Sequence, residues 1–315
     1  MNGTTLLSHP RDIASFVHDC LVNRTEVALV FVTSVEGGSV RAPGLRMAIA
    51  VDGRTTGFVS NGCVEADLIA TARDAMALRS VVTTTYGRGS GKIDLALPCG
   101  GRIDVLIVPA DPDHAGPLQA MIGSDRITGW LVLRDNGGID WHASAPAVAA
   151  GQRTFAVHPK IRLIIFGAGA EALMLARLAA AADMQVEIQS PDELTIAVAR
   201  DLGLYARALR GLSGSSNISA DSGTAIALLF HDHEWEQQIL VEALASRAFY
   251  IGALGSHRAH LRRMEALAAG GLPGETIARI KAPIGLVHQL RDPNLLAVSA
   301  LAEIAQEFQK SFISF

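Results

Sequence analysis

Cysteine is scarce in this chain: 315 residues carry three. So small and odd a set excludes a disulfide framework and fits a reducing compartment, so a cytoplasmic protein with free thiols is expected. Charge of one sign is also lacking. The formal net charge is −4, which gives no electrostatic case for nucleic acid or an anionic membrane as the main partner. Long apolar runs are absent too, and Arg11 and Asp12 come early, so neither a signal peptide nor a membrane span is expected. No internal repeat is found.

What is present is apolar residue in quantity. Such residues make up 49% of the chain, and the length suggests two domains with a sizeable core. Residues 10–23 place Ile13, Phe16, Val17 and Leu21 at helical spacing, and Cys20 lies among them as a core residue. The run 27–32 is apolar and of strand length, and 46–51, 56–60 and 103–108 read as further strands. Ala and Leu recur at helical spacing over 65–78. We expect an N-terminal domain over 1–112, a connecting segment over 113–160 and a C-terminal domain over 161–315. Within the connection, Trp130–Leu133 reads as a strand and Asn136-Gly137-Gly138 as a hairpin turn. Beyond it strand and helix alternate, and 211–223 is Gly/Ser-rich and expected as a loop. That alternation predicts an α/β protein: a C-terminal Rossmann-like, doubly wound parallel sheet beside a smaller N-terminal α/β domain.

Chemistry concentrates in short glycine-flanked turns. Gly167-Ala168-Gly169-Ala170-Glu171-Ala172 stands between a strand and a helix, where G-x-G-x-x-A lets a phosphate approach backbone amides. A tight turn with no ligand is the plainer alternative. For NAD(P), Asp192 is the acidic candidate after the second strand, with Pro191 before it. Gly62 and Cys63 precede a helix start, where the dipole favours a thiolate, and Glu65 follows in the first turn. Cys99 precedes Gly100 and Gly101. Either cysteine could be a packed core residue; two in glycine turns of one unit make metal or sulfur ligation by Cys63 and Cys99 an equal alternative. His231-Asp232-His233-Glu234 follows a strand at the rim where open α/β sheets bind ligands, or caps the next helix through Asp232. Gly255, Ser256 and Arg258 fall on that rim after the next strand, with Arg258 a candidate phosphate ligand.

Taken together and in order, these segments resemble the XdhC/CoxI family. Ser60-Asn61-Gly62-Cys63-Val64-Glu65 and Cys99-Gly100-Gly101 resemble its N-terminal part. Tyr250-Ile251-Gly252-Ala253-Leu254-Gly255-Ser256, Ala282-Pro283-Ile284-Gly285-Leu286 and Ala302-Glu303-Ile304 resemble its Rossmann part. The resemblance implies a maturation factor for molybdenum hydroxylases such as xanthine dehydrogenase. Such a factor binds the molybdenum cofactor, a molybdopterin with or without a nucleotide extension, and assists its sulfuration with a cysteine desulfurase before delivery to the apo hydroxylase. It further implies a cofactor-binding chaperone with no turnover of its own, expected here as a homodimer. A NAD(P)-dependent oxidoreductase is the alternative. Three segments depart from the family pattern, with Asn61 where Gly is usual, His257 where Arg is common, and Val287-His288-Gln289 where Asp-x-Gly is common.

Overall fold

The computed structural model describes residues 4–5, 8–37, 42–60, 62, 64–90, 100–209, 218–230 and 236–313. The chain forms two compact units, Met1–His158 and Pro159–Phe315.

The first unit is built on a six-stranded sheet. In chain order its elements are β1 (Thr4–Thr5), α1 (Pro10–Val22), β2 (Val27–Glu36), β3 (Gly44–Ala50), β4 (Thr55–Gly57), α2 (Glu65–Leu78), β5 (Val82–Gly87) and β6 (Arg102–Pro109). The strand order is β1-β4-β3-β2-β6-β5, antiparallel apart from the β1–β4 pair. The unbroken apolar run of β2 reflects burial on both faces. Leu29 and Phe31 pack with Ile13 and Val17 of α1, whereas Ala28, Val30 and Val32 pack with Leu68 and Ala72 of α2.

The stretch expected as a connection over 113–160 is folded into this unit. It carries α3 (Ala115–Gly123) and three antiparallel strands in the order β8-β7-β9: β7 (Gly129–Arg134), β8 (Ile139–His142) and β9 (Gln152–Val157). Leu118, Met121, Leu131, Leu133, Phe155 and Val157 join the core beside α1. Burying that much apolar surface is worth more as part of a core than as an exposed link. Arg11 locks the arrangement. Its guanidinium donates to the carbonyls of Met121, Ser124, Ile127 and His158, and burial lowers its pKa to about 10. Cys20 is buried, as expected, and burial raises its thiol pKa.

The second unit is the doubly wound sheet. Its elements are β10 (Arg162–Gly167), α4 (Gly169–Ala181), β11 (Gln185–Ser190), α5 (Glu193–Asp201), β12 (Tyr205–Ala208), β13 (Thr224–Leu229), α6 (Glu236–Ala245), β14 (Tyr250–Ala253), α7 (His257–Ala269), α8 (Gly274–Ile277), β15 (Ile280–Lys281) and α9 (Pro293–Phe312). All strand pairs are parallel, in the order β12-β11-β10-β13-β14-β15. This is the 3-2-1-4-5-6 Rossmann order, whose direction reverses between β10 and β13. Leu163 and Ile165 of β10 pack against α4 and α9, while Ile164 and Phe166 face α6 and α7. Residues 211–217 of the Gly/Ser-rich stretch and the 231–234 cluster lie outside the described residues. No described helix is long and apolar enough to cross a membrane.

Candidate functional site

In the first unit, topology gathers the glycine turns at one end of the sheet. The register pairs Glu36 with Arg102, Arg102 with Gly87, Val32 with Gly44, and Gly57 with Met47. The loops after β2, β4 and β5 therefore all leave from the same end of the sheet, the end where β6 begins. Cys63 and Cys99 themselves lie outside the described residues. One side-chain bond joins β5 to α2. The Tyr86 hydroxyl, at the end of β5, donates to the Asp67 carboxylate in the first turn of α2 at 2.6 Å. Burial, with Asp67 adding to it, raises the Tyr86 pKa, so the phenol stays protonated as a donor.

The glycines have separate reasons for being there. Gly62 and Gly100 both have positive φ, and a β-carbon at either would meet open space. Backbone conformation is what demands glycine at these two positions. Gly37 is the glycine required by proximity, since a β-carbon there would come within 3.2 Å of the Gly101 Cα.

Glu65 turns inward on its own loop. Its carboxylate accepts from the Ser60 amide at 2.6 Å, the Ser60 hydroxyl at 2.6 Å, and the Val59 and Val64 amides at 3.2 and 3.3 Å. Burial pushes its pKa up, but the bonds from Ser60 and Val64 outweigh it and the net shift is downward. The residue thus ties Val59, Ser60 and Val64 together as an ionised clasp.

In the second unit the carboxyl rim carries the remaining candidates. Gly167 is required by packing: a β-carbon there would lie 2.6 Å from the Leu229 carbonyl oxygen on β13. Gly169 opens α4 with φ +79°. Its amide, the donor expected to face a phosphate, is hydrogen-bonded to the Thr195 hydroxyl at 2.9 Å. Thr195 in turn donates to Asp192 at 2.5 Å, and Asp192 caps α5. These bonds, the Thr195 hydroxyl foremost, lower the Asp192 pKa. The acidic residue where a dinucleotide ribose would be sought is thus occupied as a helix cap.

Gly255, Ser256 and Arg258 form the start of α7, a helix that sequence pattern alone did not reveal. The Ser256 hydroxyl caps it by accepting from the Ala259 amide, and Arg258 is exposed in the first turn. Beneath this turn the buried Arg263 pairs with Glu236 at 2.8 Å and donates to the Leu254 carbonyl. His231 lies outside the described residues. Among the described residues no group of three or more His, Cys, Asp or Glu is placed to hold a metal.

A structural centre missed by sequence reasoning joins three motif segments. The Glu303 carboxylate on α9 accepts from the Tyr250 hydroxyl at 2.5 Å and from the Gly285 amide at 2.8 Å. Desolvation, and next the charge of Glu303, raise the Tyr250 pKa. The signal was available, since Tyr250, Gly285 and Glu303 each sit in one of the family-like motifs.

Comparison with known proteins places this two-unit architecture in a family. Residues 20–87 match the model of the XdhC and CoxI family, and residues 163–304 match that of the XdhC Rossmann domain. The chain belongs to the XdhC and CoxI family. It is 33% identical over 306 residues to the molybdenum cofactor insertion chaperone PaoD of Escherichia coli, covering 94% of this chain and 87% of that protein. It is 26% identical over 328 residues to a Bacillus subtilis protein described as a probable xanthine dehydrogenase subunit, covering 91% and 94%. A crystal structure from Bacillus halodurans described as a xanthine dehydrogenase superposes with a TM-score of 0.75 at 21% identity, over 94% of this chain and 96% of that one. At that identity the likeness speaks to the fold.

Proposed function

We propose that this chain is a maturation factor that binds the molybdenum cofactor and passes it to an apo molybdenum hydroxylase such as xanthine dehydrogenase. The observation that carries this reading is the 33% identity, across 94% of the chain, to a molybdenum cofactor insertion chaperone. The cofactor is cargo here, so a carrier must hold it and also let it go. Exposed glycine turns suit that task, because backbone amides at Gly62 and Gly100 can bind oxyanions without committing a side chain. Gly255, Ser256 and Arg258 offer the carboxyl rim as the site for the phosphate end, with His231 following β13. Cys63 and Cys99 are the thiols proposed to face the metal or a transferred sulfur.

The finer steps belong to the same proposal. A cysteine desulfurase supplies the sulfur, the cargo is molybdopterin with or without a nucleotide, and the working form is a cytoplasmic homodimer without turnover of its own. A NAD(P)-dependent oxidoreductase is less well supported, because the Gly169 amide and Asp192 are both engaged within the protein. The test is reconstitution: apo hydroxylase given free cofactor, with and without this chain. Faster or fuller activation with the chain supports the reading. Equal activation in both arms, together with NAD(P)H turnover by the chain alone, would replace it with the oxidoreductase.

A further inference from the structure

A cleft of about 870 Å³ opens on the carboxyl rim of the Rossmann unit. Its wall is apolar where Ile284, Leu290 and Leu296 line it, and polar where His257, His288 and Arg291 do. Three helices begin at this cleft. Glu171 belongs to the first turn of α4 and His257 to that of α7, while Arg291 stands just before Asp292, the cap of α9. Each helix start carries a positive dipole end of about half a unit charge. Glu171 is the one carboxylate among the lining residues, against one arginine and two imidazoles. The loop forming one side is held rigidly: Gly285 is tied to Glu303, and the Val287 amide donates to the Ser299 hydroxyl at 2.7 Å. A preformed cleft with an apolar wall and convergent donors is the usual form of a small-molecule site.

The geometry points to this cleft as the seat of a phosphorylated heterocycle, its phosphate held by Arg291, His257 and His288 and its ring laid on the Ile284–Leu290 wall. This deepens the carrier reading and rests on it, because it adds His257, His288 and Arg291 to the Gly255-Ser256 turn, which also lines the cleft, at the phosphate end of the cargo. It also separates duties. The Rossmann unit alone recognises the phosphate, and thiol chemistry is left to the other unit.

The experiment uses the full chain and titrates guanosine monophosphate, with guanosine as the uncharged control, by calorimetry. We expect the monophosphate to bind about tenfold or more tightly than guanosine, as one charge-assisted arginine contact implies. Arg291→Gln should weaken it about tenfold and His288→Asn less, while Glu171→Gln should tighten it by removing a like charge. Both weakened sites are exposed, so melting temperature checks that folding is unchanged. Equal affinity for the two probes, no binding of either, or a monophosphate Kd within twofold of wild type in Arg291→Gln would overturn the proposal. The carrier reading fails separately. Protein that binds the monophosphate as expected but carries no pterin from a molybdenum-replete host keeps the cleft and loses the carrier. Protein that carries pterin equally with and without Arg291 keeps the carrier and loses the cleft.

Discussion

Replacing Glu65 by alanine removes the clasp of the loop that leads to Cys63. Two of its bonds are short and charge-assisted, both from Ser60 at 2.6 Å. Hydrogen bonds to a charged group are worth roughly 1.5–3 kcal/mol each. Water reaches this loop, so the lower figure applies, and Glu65→Ala should release the loop by about 3 kcal/mol. Glu65→Gln keeps one neutral acceptor oxygen and should cost about half of that. Ser60→Ala removes only the hydroxyl, and its loss should not add to that of Glu65→Ala, because the two share one network. Hydrogen exchange at the Ser60 and Val64 amides reads the release directly. The sign with pH follows from the depressed pKa. The clasp is fully present above the ordinary glutamate value of 4.5 and is lost as pH falls through the lower folded value. Exchange at both amides unchanged in Glu65→Ala at pH 7 would show that the carboxylate does not hold the loop, and the reasoning would fall.

Other consequences can be checked beside it. Glu303→Ala strands the buried Tyr250 hydroxyl and the Gly285 amide and should cost about 2–4 kcal/mol, read by exchange at the β14 amides. Tyr250→Phe should recover part of that loss in the double mutant. Gly167→Ala forces a β-carbon against the Leu229 carbonyl and should lower stability by about 1–3 kcal/mol, visible as a lower melting temperature. Arg11→Met removes four carbonyl bonds and should destabilise the first unit, measured by tryptophan fluorescence on urea unfolding, since Trp130 and Trp141 lie there.

Much of this fold was legible because its strands are buried on both faces and so read as apolar runs. β2, β6, β10 and β13 are of this kind, and α2 was bounded correctly by its Ala and Leu spacing. What escaped was structure whose stability lies in partners distant in sequence. β5 is a threonine-rich edge strand with one fully buried side chain, Tyr86, and alone it shows no clear alternation. α7 carries three arginines, and its inner face is Ala259, Arg263 and Leu267; the ion pair with Glu236 and the bond to the Leu254 carbonyl make Arg263 a core residue. The stretch 113–160 looked like a link because its strands are short and separated by turns. For the site, glycine positions were readable, since positive φ and close approach leave few other residues possible. The inward turn of Glu65, the engagement of the Gly169 amide and the cleft at His288 and Arg291 depend on loop paths that no local spacing encodes.

The proposed carrier role, and the part of Cys63 and Cys99 in it, can be read on the purified protein. The measurement is pterin and molybdenum per protein after purification from a molybdenum-replete host, for wild type, Cys63→Ala, Cys99→Ala and Cys20→Ala. Bound pterin is expected on wild type and on Cys20→Ala, with marked loss in Cys63→Ala, a smaller or equal loss in Cys99→Ala, and unchanged folding in both. A wild type free of pterin would contradict the carrier role, and full retention in both Cys63→Ala and Cys99→Ala would contradict the role of the thiols.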